Sequence, residues 1–124
     1  MSQTRILFVE DDHVLNMATR LSLEDMGYSV SEFYCAASAI AAMDGRDYIA
    51  ALLTDIDLGK GLDGFDVARH ARTLYRRLPV VYVSGTMAAH HATHGVPGSA
   101  FLAKPCQPHQ IAKLLNEVIR LEAA

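Results

Sequence analysis

Acidic side chains occur in two clusters, each following a short apolar segment of about the length of a β-strand. The first cluster is Glu10, Asp11 and Asp12, and the second is Asp55 and Asp57. Carboxylates held close together repel one another and raise one another's pKa. A bound Mg²⁺ ion removes that conflict, since it is a hard cation that takes carboxylate, water and phosphate oxygens. Asp12 has a simpler interpretation, as the N-cap of the first helix.

A hydroxyl and an ammonium group follow two later apolar segments. Ser84-Gly85-Thr86 comes after Val80–Val83, and Lys104-Pro105 comes after Ala100–Leu102. Alone, a serine at such a position is more often a helix cap, and a lysine before proline is usually a surface residue. Placed beside the carboxylates, the two groups would face a phosphoryl group held over the metal.

Five apolar segments alternate with helical patterns along the chain. The segments are Ile6–Val9, Tyr28–Phe33, Ile49–Leu53, Val80–Val83 and Ala100–Leu102. Rich in Val, Ile and Leu without alternation, they predict strands buried on both faces. The helical patterns cover Leu15–Met26, Ala36–Met43, Val67–Tyr75, Thr86–His94 and Ile111–Ile119. The last of these has the clearest amphipathic stripe.

This alternation predicts an α/β fold with right-handed crossovers and a doubly wound five-stranded parallel sheet. The common strand order for five such units is 2-1-3-4-5. Ligands then bind beyond the carboxyl ends of the strands, where the winding reverses between strands 1 and 3. We therefore expect Glu10, Asp11, Asp55, Ser84 and Lys104 to lie in one crevice.

Four segments together resemble the receiver domains of two-component response regulators, from Ile6 to about Leu121. They read ILFVEDD at 6–12, LLTDIDLGKGLDGFDVA at 52–68, PVVYVSG at 79–85 and FLAKP at 101–105. The resemblance implies a flavodoxin-like (βα)5 fold and a single receiver domain over residues 1–124 with no output domain. The loop between Leu58 and Gly64 is longer than in many receivers.

The resemblance also implies a metal site and a phosphoacceptor. Asp55 would accept a phosphoryl group in a Mg²⁺-dependent transfer from a sensor histidine kinase or a histidine phosphotransfer protein. Glu10, Asp11, Asp55 and the backbone carbonyl of Asp57 would hold the Mg²⁺ ion. Beyond self-phosphorylation and autodephosphorylation at Asp55, no enzymatic activity is expected.

Three further residues acquire roles from the resemblance. Lys104 would bind the phosphoryl group, Ser84 would be the switch hydroxyl, and Phe101 would be the switch aromatic residue. The Lys104-Pro105 bond is expected to be cis. Signalling would proceed by phosphorylation-dependent docking on a downstream protein target. A homodimer could form through the face made by the fourth predicted helix, the fifth strand and the fifth predicted helix.

Composition limits the location and the partners of the chain. Cys35 and Cys106 are too few for a disulfide scaffold, and no apolar segment is long enough to span a membrane, so we expect a cytoplasmic protein without a membrane partner. Residues 1–66 carry 12 acids and 4 bases, whereas residues 67–124 carry 2 acids and 7 bases. The bases have no interleaved aromatic pattern, so nucleic acid is not an expected partner.

Other classes of function remain open from the residues. Asp55-Ile56-Asp57 matches the DxD motif of haloacid-dehalogenase-like phosphohydrolases, although there the motif follows the first strand. A receiver-like module that binds partners without phosphorylation is a further alternative. Residues 59–64 match GxGxxG, but the acid that a dinucleotide site needs about 20 residues later is missing. His90 and His94 have metal-ligand spacing without a visible third ligand.

Overall fold

The computed structural model describes residues 4–59, 61–85 and 93–123, which form five strands and four helices. The strands are β1 (Arg5–Val9), β2 (Ser29–Phe33), β3 (Ala51–Asp55), β4 (Val80–Ser84) and β5 (Ala100–Ala103). The helices are α1 (His13–Asp25), α2 (Ala36–Ala42), α3 (Gly64–Leu74) and α4 (Pro108–Ala123). The last of these is the fifth helix of the sequence prediction.

The strands form one parallel sheet in the order β2-β1-β3-β4-β5, which confirms the predicted doubly wound topology. The register pairs Val9 with Thr54, and Ser84 with Ala103. The carboxyl ends of β1, β3, β4 and β5 therefore lie side by side at one edge of the sheet.

Two apolar layers cover the faces of the sheet. Leu7, Leu52 and Tyr82 pack on one face with side chains of α2 and α3. Ile6, Leu53 and Val81 pack on the other face with side chains of α1 and α4. Every residue of β3 and β4 is buried. The double coverage explains why these segments are apolar without alternation.

Some boundaries differ from the sequence prediction. The third strand spans Ala51–Asp55 rather than Ile49–Leu53, because Ile49 and Ala50 are buried before the ladder begins. Helix α3 starts at Gly64, three residues earlier than the apolar pattern indicated. Of the predicted helix Thr86–His94, residues 86–92 lie outside the described part of the chain, and Thr93 and His94 are helical.

No helix within the described ranges is long and apolar enough to cross a membrane.

Candidate functional site

A cavity of about 420 Å³ opens at the carboxyl ends of the strands. Its lining comes from four separate segments, namely Asp11, then Asp55, Asp57 and Gly59, then Ser84 and Gly85, and finally Lys104. The crossover topology brings these segments together from positions up to 93 residues apart in the chain. The predicted crevice is therefore formed, and the predicted polar residues lie in or beside it.

Lys104 bridges the two buried carboxylates. Its Nζ atom donates to Glu10 Oε2 at 3.2 Å and to Asp55 Oδ2 at 3.1 Å. The side chains of Glu10 and Asp55 are only 2% and 7% exposed, whereas that of Lys104 is 27% exposed. One ammonium group thus serves two carboxylates in a region with little water, and this leaves the cluster short of positive charge.

The surroundings shift the pKa of each member of this cluster. Burial, reinforced by the nearby charge of Asp55, raises the pKa of Glu10 to about 7 against the opposing effect of Lys104. Burial also raises the pKa of Asp55, although hydrogen bonding and charge from Lys104 oppose the shift. For Lys104, burial acts to lower the pKa, but Asp55 and Glu10 outweigh it and raise the pKa. The positive charge of Lys104 therefore does not fully compensate the negative charges of Glu10 and Asp55.

The donor set fits a hard cation. Glu10, Asp11 and Asp55 each offer a carboxylate oxygen, and these oxygens lie within 4.8 Å of one another. Asp55 Oδ1 is buried and has no hydrogen-bond partner among the described residues. A buried oxygen without a donor is costly unless an ion or water occupies the space it faces. Two buried carboxylates with an exposed third, Asp11, match the oxygen ligands that Mg²⁺ takes.

Local hydrogen bonds explain why the first strand and the first helix present these groups. Asp12 Oδ1 accepts the N–H of Val14 at 3.0 Å, which confirms the predicted N-cap of α1. The backbone N–H of Asp12 donates to Glu10 Oε1 at 3.2 Å. Asn16, buried on α1, directs its side-chain amide toward the backbone oxygen of Glu10 at 3.5 Å. These contacts hold Glu10 facing inward.

The segment after β3 approaches the site through Asp57 and Gly64. Asp57 lines the cavity, and its exposed side chain accepts the N–H of Gly59 at 3.2 Å. Gly64 donates its N–H to the Ile56 oxygen at 2.8 Å, and a Cβ atom on Gly64 would lie 2.1 Å from the oxygen of Asp55. Asp63 and Asp66 form a capping box at this end of α3. Only glycine permits α3 to start this close to Asp55.

The remaining predicted residues lie on β4 and β5. Ser84 is buried at the end of β4, and its backbone oxygen accepts the N–H of Lys104 at 3.0 Å. Phe101 is partly buried and packs against the apolar cluster on the α2–α3 face. The Lys104-Pro105 bond is cis, as the resemblance implied.

Sequence reasoning did not single out two residues that shape the site. Thr54 is fully buried in β3, and its hydroxyl donates to the backbone oxygen of Asp55 at 2.7 Å. Gly64 was quoted only as part of a motif, although a glycine directly after a helix-capping aspartate is a usable signal of close backbone approach. A polar residue inside an apolar segment is the corresponding signal for Thr54.

Similarity to known proteins identifies the family of this chain. The model of the response regulator receiver domain matches residues 6–116 of this chain. The chain belongs to the response regulator receiver family.

Solved receiver structures support the assignment. A response regulator receiver protein from Sinorhizobium medicae is 31% identical, with a TM-score of 0.91 over 97% of both chains. The receiver domain of sensor histidine kinase PA1611 from Pseudomonas aeruginosa is 25% identical, with a TM-score of 0.79, and covers 96% of this chain and 99% of its own. That crystal structure is described as having a magnesium ion coordinated in the active site cleft.

Curated relatives of this receiver are longer transcriptional regulators. QseB of Haemophilus influenzae is 29% identical over 118 residues, which are 94% of this chain and 52% of QseB. TcrA of Mycobacterium tuberculosis is 34% identical over 122 residues, which are 97% of this chain and 47% of TcrA. The chain thus spans about half the length of these relatives. The family assignment does not favour the phosphohydrolase interpretation of Asp55-Ile56-Asp57.

Proposed function

We propose that this receiver accepts a phosphoryl group on Asp55 and signals through the change of shape that follows. One observation carries the proposal. The buried carboxylate of Asp55 has one oxygen, Oδ2, on Lys104, while the other, Oδ1, has no hydrogen-bond partner among the described residues. An oxygen without a donor keeps its lone pairs for attack, and the neighbouring ammonium can balance the charge of an incoming phosphoryl group.

The reaction is a nucleophilic displacement at phosphorus. An oxygen of Asp55 forms the new bond, the P–N bond of a donor phosphohistidine breaks, and the imidazole departs with the electron pair. Lys104 would neutralise the phosphoryl oxygens, and Ser84 would donate a hydrogen bond to one of them. A Mg²⁺ ion held by Glu10, Asp11, Asp55 and the backbone carbonyl of Asp57 would add positive charge at the transferring group.

Signalling follows from competition for Lys104. The acyl phosphate adds about −1.5 to −2 charges, by analogy with other phosphorylated side chains. Its oxygens would draw Lys104 and the Ser84 hydroxyl away from their resting contacts. Phe101, three residues before Lys104, would then move inward, and the surface around β5 and α4 would rearrange. We propose phosphorylation-dependent docking on a protein target as the output.

The partners proposed are those of two-component signalling in the cytoplasm. The donor would be a sensor histidine kinase or a histidine phosphotransfer protein. The relatives that are transcriptional regulators favour an output in transcription. A homodimer through the fourth predicted helix, β5 and α4 stays a prediction.

Intact mass after incubation with acetyl phosphate tests the proposal. We expect one phosphoryl adduct that forms only with Mg²⁺ and disappears completely in Asp55→Asn. Asp57→Asn is the matched control, because it changes a neighbouring carboxylate whose side chain bonds Gly59, and it should still be labelled.

Three outcomes would contradict the proposal. Labelling that persists in Asp55→Asn would mean that another acid is the acceptor. No adduct, in conditions that label a known receiver, would favour a module that works without phosphorylation. Continuous release of phosphate from phosphomonoesters, lost in both variants, would instead support the phosphohydrolase interpretation.

A further inference from the structure

Tyr82 is the largest fully buried side chain among the described residues, and its hydroxyl has no part in the chemistry at Asp55. The residue lies on β4, two positions before Ser84, on the face covered by α2 and α3. Its hydroxyl oxygen accepts the backbone N–H of Val96 at 3.1 Å. A phenol group is stable in an apolar core only when its polar end is bonded, so this contact has a structural purpose.

Val96 is the first residue of a tight turn that leads directly into β5. The backbone N–H of Ser99 donates to the Val96 oxygen at 3.2 Å, and Pro97 precedes Gly98, whose φ is 76°. Proline followed by a glycine with positive φ is the signature of a type II turn. Position 96 therefore fixes where β5 begins.

Three hydrogen bonds link Tyr82 with Val96 and Ser99, the two ends of this turn. The Ser99 hydroxyl donates to the Val96 oxygen at 2.6 Å and also hydrogen-bonds the Tyr82 hydroxyl. The bonds close a ring, so removal of the Tyr82 hydroxyl breaks two of the three together.

The ring of Tyr82 lies next to the residue that the proposed switch moves. Tyr82 pairs with Phe101 in the β4–β5 register, and Phe101 packs against the apolar cluster that contains Tyr82. Phe65 of α3 contacts Tyr82 with ring centroids 5.1 Å apart. In a close-packed interior, an inward movement of Phe101 displaces its neighbours. The ring of Tyr82 can move aside only if its hydroxyl gives up the hydrogen bond to Val96.

We propose that the Tyr82 hydroxyl is a latch that holds the Val96–Ser99 turn in the resting position and opposes the movement of Phe101. This inference rests on the proposed function. A contact made only in the resting conformation lowers the apparent affinity for a phosphoryl group, because binding must first overcome that contact. Tyr82 is thus a positioning residue that sets how readily the receiver switches.

Tyr82→Phe tests the latch, since it removes the hydroxyl and keeps the ring. The probe is beryllium fluoride with Mg²⁺, a non-covalent analogue of the phosphoryl group. Loss of the hydrogen bonds should tighten its binding about three- to tenfold. Without the probe, the Val96 amide should exchange its hydrogen faster in the variant. Unchanged affinity together with unchanged Val96 exchange would overturn the latch.

Three further variants separate a latch from a general loss of packing. Tyr28→Phe is the matched control, because it removes a hydroxyl that bonds Asn116 on the opposite face, and it should leave the affinity unchanged. Ser99→Ala breaks the same ring of hydrogen bonds from the surface side and should also tighten binding, even if Tyr82→Phe folds poorly. In a Phe101→Ala background, Tyr82→Phe should no longer change the affinity.

The outcomes distinguish the two proposals. Wild-type protein that neither binds beryllium fluoride nor takes up a phosphoryl group would overturn both. Wild-type protein that binds the probe while Tyr82→Phe and Ser99→Ala bind it equally well would overturn the latch alone. An effect of Tyr82→Phe that persists without Phe101 would assign Tyr82 a purely structural role.

Discussion

Glu10 and Asp55 share a single ammonium group, that of Lys104, in a part of the protein where little water enters. Evolution of a core for stability alone does not produce this arrangement, since replacing buried ionic groups with apolar residues is often neutral or stabilising. A bound cation would compensate the excess negative charge of Glu10 and Asp55. In the proposed reaction, the same carboxylates and Lys104 would take part in the transfer of the phosphoryl group. The same residues therefore lower stability in the metal-free state and provide the proposed activity.

This charge imbalance predicts an unusual dependence of stability on pH. The pKa of Glu10 rises from 4.5 to about 7 on folding, so the folded protein binds this proton more tightly than the unfolded chain does. The advantage is present below about pH 4.5 and is lost as the pH rises toward 7. Without metal, the free energy of unfolding should fall over this interval by an amount on the order of 1–3 kcal/mol.

Urea unfolding in EDTA between pH 5 and pH 8 measures the effect. Glu10→Gln should flatten the curve and should make the metal-free protein more stable at pH 8. Glu117→Gln, which neutralises an exposed acid on α4, should follow the wild-type curve. If the free energy of unfolding of Glu10→Gln changes with pH as steeply as that of the wild type, then Glu10 is not the source of the pH dependence.

Single residues of the site were predictable where a polar group interrupts or ends an apolar segment. Asp55, Ser84 and Lys104 all stand at strand ends in the sequence, and the topology brings them together as expected. The hydrogen bond from the Val96 N–H to the Tyr82 hydroxyl was not predictable, because it joins two positions that local patterns leave unrelated. In a sequence pattern, a tyrosine within a buried strand counts as an apolar residue, because the pattern does not show which group its hydroxyl contacts.

At the scale of elements, helix α3 is placed by the close contact of Gly64 with β3. The N–H of Gly64 bonds the Ile56 oxygen, and any Cβ at position 64 would overlap the backbone of Asp55. The atoms in the way belong to the backbone, so no side-chain rotation can make room. The start of α3 and the end of β3 therefore form one rigid unit behind Asp55.

Gly64→Ala should destabilise the protein by about 1–3 kcal/mol, the usual cost of overpacking. It should also slow labelling by acetyl phosphate, because the backbone of Asp55 must shift. Gly85→Ala is the control for stability, since among the described residues a Cβ there would meet only the Cβ of Lys104, at an ordinary 3.9 Å. Thermal and urea unfolding compare the two variants, and equal stabilities would contradict the close-contact argument.

The elements themselves were predicted better than their ends. The apolar segment Ile49–Leu53 marks burial, which begins before the ladder of β3 does, so the predicted strand started two residues early. Asp55 ends the strand in the structure, as the sequence indicated, although the apolar segment itself stops at Leu53. The apolar pattern indicates which residues are buried. Strand boundaries depend instead on backbone hydrogen bonding, which sequence patterns show only indirectly.

At the scale of the whole molecule, the fold gathers carboxylates at one edge of the sheet without a matching number of bases. The strand order could be predicted because short buried strands alternating with helices allow few parallel topologies. The shape of the cavity could not, since it depends on the loop after β3. A cation at this edge contacts parts of the chain from β1 and β3 and so stabilises the entire fold.

Mg²⁺ should therefore raise the midpoint of urea unfolding at pH 8, by an amount that grows with the logarithm of the ratio of its concentration to its dissociation constant. At a hundredfold excess, linkage gives about 2.7 kcal/mol of added stability. Asp11→Asn should remove most of this gain while leaving the metal-free protein almost unchanged, because Asp11 is exposed. NaCl at equal ionic strength controls for screening of the acidic edge. An equal gain from NaCl, or a full gain in Asp11→Asn, would mean that the carboxylates respond to ionic strength and do not form a specific metal site.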